Sequence, residues 1–416
     1  MKEKFLIKGS LADKISFYHV LLFAMVLPFD RLYSELALIS LTVHTIIHLQ
    51  TTDIQRVKIS AMLIPGIIYL VTVVGTIYTR FYDEAFYEWE RQLAILLFPL
   101  IILYNSFDFK KYLPNILFGL ATSCVLTLLY LYFMAYSIIR FNHLPLVSLF
   151  SNAFLNHNFS APIDMHATYF SMYIALAAAA MMDAFIKTGS GKTKWLYGGM
   201  IFILLAGLWQ LSSRAVFISF AVILILGFPL LVFQKRKKIL SMLVSVVFSL
   251  LVFWVLTQID NLRTRFMIDL KEDLTSASIN NNTLEPRATR WGCAWQLIKQ
   301  SPIYGHGSGS EVVLLKEVYF QRKLYRSFIG ELNAHNEYLS MLMKTGLIGL
   351  LALLFVFFTG FKRAVQSKDV VFCAFLVITA VVSFSENILD ANKGIFFFAY
   401  FFSLFYLGRE KEFNIE

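Results

Sequence analysis

Apolar runs about as long as a bilayer is thick recur along this chain, and they leave room for few other architectures. A helix rises ~1.5 Å per residue, so crossing the hydrocarbon core takes roughly 20 apolar residues. Scanning on that basis yields about twelve stretches, near residues 15–30, 33–49, 59–79, 92–105, 112–139, 161–186, 195–211, 214–233, 239–258, 339–361, 369–386 and 391–408. Composition agrees: 58% of residues are hydrophobic, 15% are charged, and there are 41 Phe and 20 Tyr. That is too little charge to cover a soluble surface. The expected fold class is all-α, a polytopic membrane protein with about 12 transmembrane helices.

Charge orients these helices. If the N-terminus is cytoplasmic, alternate segments collect Lys2, Lys4, Lys8 and Lys14; Arg56 and Lys58; Lys110 and Lys111; Lys187, Lys192 and Lys194; 235–238; Lys362, Arg363 and Lys368; and Arg409 and Lys411. The short segments on the other side hold Arg31, Arg80, Arg91, Arg140, Arg214 and Lys393. Twenty basic residues against six obeys the positive-inside rule and predicts that both termini are cytoplasmic. The net charge of +10 is thereby a topology signal; no basic stripe with a nucleic-acid module accompanies it. The basic N-terminus runs into a long apolar stretch without a small-residue cleavage site, so an uncleaved first helix is expected. Cys124, Cys293 and Cys373 offer neither a disulfide framework nor zinc-ligand spacing.

One outer segment, 259–338, is far longer than the others, and long loops usually carry function. Two amphipathic stretches within it, 289–299 and 311–325, predict surface helices. The chain is thus read as residues 1–190, the first six helices; 191–258, helices seven to nine; 259–338, the large loop; and 339–416, the last three helices.

Polar residues that chemistry would use cluster toward this loop. His335 and Asn336 stand at its end and are followed after nine residues by Gly346 and Gly349. A histidine with an ordinary pKa near 6.5 suits a general base at neutral pH. The two glycines, three apart, suggest a close helix crossing. Arg287 and Arg290 precede Trp291, and a glycine-rich turn, 305–309, follows Pro302. Arg214 interrupts an apolar run of nearly 40 residues, an expensive placement unless the side chain pairs or binds an anion. Asp164, His166, Glu386 and Asp390 lie at outer helix ends and are candidate substrate contacts, with Lys393 opposite the last two. Lys344 reads as a snorkelling side chain. His44 and His48, one helical turn apart with no third ligand, read as structural.

His335-Asn336 with its trailing glycines resembles the signature of the O-antigen ligases. Arg287 to Trp291, Pro302 to Gly307 and the Ser213-Arg214-Ala215 break resemble the domain these enzymes share with O-antigen polymerases. The likeness spans roughly 195–405. It implies a metal-independent, GT-C-like glycosyltransferase of the bacterial inner membrane whose outer loop is periplasmic. The implied donor is a glycan on undecaprenyl diphosphate and the implied acceptor a lipid A-core sugar, with no cofactor. Arg214, Arg287 and Arg290 would then hold the diphosphate, His335 would take the acceptor's proton, and Asn336, Asp164, His166, Glu386 and Asp390 would remain as substrate contacts. A polysaccharide polymerase, or transfer to protein hydroxyls, would use the same donor. A twelve-helix secondary transporter would instead place its polar site near the midplane, between internal repeats, and no repeat is evident.

Overall fold

The computed structural model describes residues 6–7, 9–49, 59–105, 107–275 and 285–408. Lys2, Lys4, Lys8, Arg56, Lys58, Arg409 and Lys411 lie outside these residues. No strand occurs among the described residues. A helix coincides with each of the twelve apolar stretches: α1 (Leu11–Val26), α2 (Arg31–Ile47), α3 (Ile59–Gly75), α4 (Tyr82–Tyr104), α5 (Phe109–Phe141), α6 (Ala167–Lys187), α7 (Gly191–Leu211), α8 (Arg214–Val232), α9 (Lys235–Gln258), then after the loop α12 (Glu337–Gln366), α13 (Val370–Val382) and α14 (Asn392–Leu407). Six of them, α5 to α9 and α12, are long and apolar enough to cross a membrane.

Burial explains the packing. α6 and α14 are covered along most of their length and form the centre of the bundle. α6 packs on α5, α7 and α13, and α14 on α4. α14 is an aromatic ladder whose Phe397, Phe401 and Phe405 rings meet Phe375 of α13, while Tyr400 meets Phe23 and Phe98. Such rings contribute ~0.5–1.5 kcal/mol per pair beyond area burial. α9 is the opposite case. Leu240, Leu243, Val247, Leu251 and Trp254 are all more than half exposed, which is tolerable only where hydrocarbon surrounds the helix.

The loop is largely helical. It runs from α9 through Asp260–Arg263, a π-helical turn at Thr264–Ile268, and Asp269–Leu274. It continues into α10 (Arg287–Ile298) and α11 (Ser310–Gln321), close to the two amphipathic stretches of the sequence. Cys293, Leu297, Leu315, Tyr319 and Leu324 give it a small core of its own.

The glycine-rich turn is neither flexible nor open. Gly305, Gly307 and Gly309 all have positive φ. A Cβ on Gly307 would lie 2.5 Å from the Thr79 backbone, and one on Gly309 2.5 Å from that of Ala85. The turn is wedged between the α3–α4 connection and α12: Ser308 Oγ donates to Thr72 O (2.6 Å), and Gly307 N–H donates to Lys344 O (2.8 Å). Gly346 serves the same wedge and corrects the helix-crossing expectation. It has φ 63° and ψ −156° and breaks α12, and a Cβ there would sit 2.2 Å from Ile303 O.

Candidate functional site

All the connections that the charge pattern assigns to the outer side meet at one end of the bundle. Asn261 donates to Phe150 O (3.0 Å), Arg91 to Asp390 O (3.2 Å), and Lys393 to the carbonyls of Leu27 and Phe29. Lys393 therefore braces the α1–α2 turn rather than opposing Glu386 and Asp390.

His335 sits in the middle of this end, in a left-handed conformation (φ 48°) uncommon for a residue with a Cβ. The neighbouring backbone is clamped from four directions. Trp291 Nε1 donates to Ala334 O (3.0 Å), Ala334 N–H to Glu311 (2.9 Å), His335 N–H to Asn333 Oδ1 (3.0 Å), and Asn336 N–H to Asn387 Oδ1 (2.7 Å). A conformation costing ~1–3 kcal/mol persists only when it is over-determined in this way, and such strain clusters at functional sites. Asn336 itself caps α12 through Leu339 N–H (3.1 Å), so its side chain is a structural cap, not a free substrate contact.

Glu386, on the α13–α14 connection, is almost fully buried and faces His335 and Arg287. Its Oε2 lies 3.3 Å from His335 Nδ1, and its Oε1 lies 3.7 Å from the Arg287 guanidinium. Burial pushes this carboxyl up, but the His335 hydrogen bond and the charges of His166, His335 and Arg287 outweigh burial and hold it below the usual range. An ionised carboxylate can only accept. The contact thus puts the His335 proton on Nδ1 and leaves the Nε2 lone pair free. A cavity of about 580 Å³ opens beside this pair, lined by Tyr87, Glu88 and Arg91 of α4, His166 and Tyr169 of α6, and Val312, His335, Glu386 and Asp390.

Beyond Arg287 the site becomes cationic. Arg214 is the first residue of α8, next to the Ser212–Ser213 break, and pairs with Asp273 of the loop at 2.6 Å. Arg265, from the π-helical turn, donates from Nε to Ser212 O (2.9 Å). His157 and His166 stand at the start of α6 with ring centroids 4.3 Å apart. Burial first, then His166 and Arg265, push the His157 pKa down to about 4. His166 is also lowered, mainly by burial.

The remaining residues singled out from sequence go elsewhere. Arg290 is 2% exposed and lies over the loop's own core with Nε and Nη1 unpartnered, away from the cavity. Asp164 is exposed in a left-handed turn and does not line the cavity. Asp390 lines it but is already engaged, 2.7 Å from Lys344 Nζ. Lys344 does not snorkel. It is 3% exposed and also lies 3.3 Å from Glu88. Glu311 joins the same network through Asn387 (3.1 Å) and Ser340, and burial raises its carboxyl. His44 hydrogen-bonds Ser16 (3.0 Å) and Ala12 O (3.2 Å), as a structural histidine would. No group of three metal-ligating side chains occurs among the described residues.

Fold and site together define an all-helical membrane protein with a histidine–carboxylate pair and an arginine cluster under one helical loop. Residues 199–354, from within α7 to within α12, match the family model described as O-antigen ligase. That segment is similar to the O-antigen ligase domain. A Haemophilus influenzae protein described as uncharacterized is also similar, at 24% identity over 73% of this chain and 75% of its own length.

Proposed function

We propose that this protein is a glycosyltransferase that moves a glycan from undecaprenyl diphosphate onto a sugar hydroxyl of the lipid A core. Its twelve apolar helices cross the bacterial inner membrane in a GT-C-like arrangement, with both termini cytoplasmic and the site periplasmic. The observation that carries this reading is Glu386, one buried carboxylate shared between His335 and Arg287. It couples a base to the cations beside it.

In the reaction the acceptor hydroxyl enters the cavity and its oxygen attacks the anomeric carbon of the donor. The bond from that carbon to the phosphate oxygen breaks, inverting the centre. His335 Nε2 takes the hydroxyl proton, and Glu386 stabilises the imidazolium that results. Negative charge grows on the departing lipid diphosphate, where Arg214 and Arg287 offset it in a partly buried setting. The donor is already activated, so the step needs no nucleotide. The gathering of Arg214, Arg287 and His335 at one end of the bundle favours transfer over a transporter's midplane site.

The test is complementation by His335→Ala in a strain lacking the gene, with expression confirmed and both surface and lipid-linked glycan assayed. Polymerised glycan accumulating on the carrier, with none on lipid A core, is the expected result. Single repeats accumulating or being transferred would make the protein a polymerase, and wild-type behaviour would remove His335 from the chemistry.

A further inference from the structure

We propose that Arg265 is a third diphosphate-binding residue, acting with Arg214 and Arg287 on the two phosphoryl groups of the leaving lipid diphosphate. This rests on the lipid-diphosphate reading above and adds a residue that no sequence motif marks.

The geometry argues for it in three ways. First, Arg265 is held at the start of α8. Its Nε donates to Ser212 O, and Ser212 is the left-handed residue (φ 42°) between α7 and α8. The side chain comes from a π-helical turn, Thr264–Ile268, a rare conformation that is frequent at functional sites. Second, the charges do not balance. Arg214 has Asp273, and Arg287 has Glu386. Arg265 has a backbone carbonyl, and no carboxylate pairs with it among the described residues. Asp269 and Asp273 draw on it from its own segment, while Arg214 and Arg287 repel it. Burial first, then that repulsion, bring its pKa down to about 10, still a full cation at neutral pH.

Third, the surroundings favour an anion. α8 and α10 each begin with one of these arginines, and neither has a side-chain cap at its N-terminus. Their free N–H groups and positive dipole ends add to the guanidinium charge. Arg214 Nη1 and the Oγ of Ser212, a residue with no exposed surface, are buried without a hydrogen-bond partner. Burying like charges and orphan donors together is costly. An anion with two phosphoryl groups would offset both costs, and its two centres match three forked cations better than one phosphate does.

The test uses the full chain in detergent, titrated with inorganic diphosphate and separately with inorganic phosphate. The wild type should prefer diphosphate. Arg265→Gln should weaken diphosphate about tenfold or more and phosphate by less than about threefold, shrinking the preference. Arg265→Lys should recover part of it. If Arg214→Gln loses diphosphate while Arg265→Gln keeps the wild-type preference, Arg265 merely braces Ser212, and the inference is wrong while the wider reading survives. If neither wild type nor Arg214→Gln responds to diphosphate, both fall. Should Arg265→Gln fail to remain monodisperse, Arg265→Lys decides. It keeps one charge but lacks the fork that can hold Ser212 and an anion at once, so an undiminished preference there overturns the proposal.

Discussion

Glu386→Gln is the sharpest perturbation of the site because it changes charge and hydrogen bonding while leaving volume almost untouched. In the native protein both oxygens of Glu386 are committed, one toward His335 Nδ1 and one toward Arg287. Both partners are donors. A glutamine has one acceptor and one donor end, so either orientation sets an N–H against a donor. If the amide nitrogen faces His335, the ring must move its proton to Nε2, and the free lone pair that would accept the substrate's proton is gone. If it faces Arg287, the cation loses the one carboxylate that pairs with it among the described residues. A hydrogen bond to a charged group is worth ~1.5–3 kcal/mol, and ~1.4 kcal/mol is a factor of ten. Transfer by purified protein from a lipid-linked donor should therefore fall about 10- to 100-fold in kcat, with Glu386→Asp also impaired because a shorter side chain cannot reach both partners. A monodisperse Glu386→Gln protein turning over within about twofold of wild type would refute the idea that this carboxylate sets the state of His335.

Three further outcomes follow from the same structure. Lys344→Met leaves Asp390 and Glu88 buried without their shared cation, which should cost ~3–5 kcal/mol; thermal unfolding in detergent should show a marked loss that adding Asp390→Asn partly restores, and an unchanged melting temperature for the single variant would mean the network contributes little. Gly346→Ala combines φ 63° with a Cβ 2.2 Å from the Ile303 carbonyl and should destabilise by more than ~3 kcal/mol. Gly349→Ala would also crowd the buried Thr345 side chain, but it needs no left-handed backbone and should cost less than Gly346→Ala, and equal melting of the two would show that α12 does not need its break. His157 binds a proton less readily folded than unfolded, its pKa falling from 6.5 to about 4; its share of stability is thus complete above pH 6.5 and is lost as pH falls toward 4, so His157→Gln should flatten the fall in melting temperature across that window, and a slope identical to wild type would contradict it.

What was legible in the sequence and what was not divide along a physical line. Helix positions depend on local hydrophobic length, and each apolar stretch meets a helix, with ends that mostly differ by a few residues and caps such as Ser10 and Asp369 setting them; α4 is the exception, its polar first turns starting at Tyr82, well before the apolar stretch. Arg287, His335, Glu386 and His166 could be picked out because each is a polar residue at the outer end of an apolar helix or in the loop beside it, and the structure gathers them. The residues that were misread share another property: their meaning depends on partners distant in the chain. A lysine eight residues into a helix is either a snorkelling side chain or one end of a buried ion pair. Only α4 and the α13–α14 connection, supplying Glu88 and Asp390 to Lys344, decide between these. Gly346 spells the same G-x-x-G as a close helix crossing, yet its φ is set by Ile303, some forty residues back. Arg265 carries no signal at all, since its proposed role arises when the loop lays it against Ser212, within reach of the charges of two other arginines. Composition and periodicity therefore reveal where polar groups can survive in such a protein, while which of them act together is decided by long-range pairing. In this fold that pairing is organised by one loop docking over the helix ends at one end of the bundle, so a substitution that loosens the dock, at Gly307 or Gly309, should impair the histidine and arginine sides of the site together, whereas Glu386→Gln or Arg265→Gln should each leave the other groups in place.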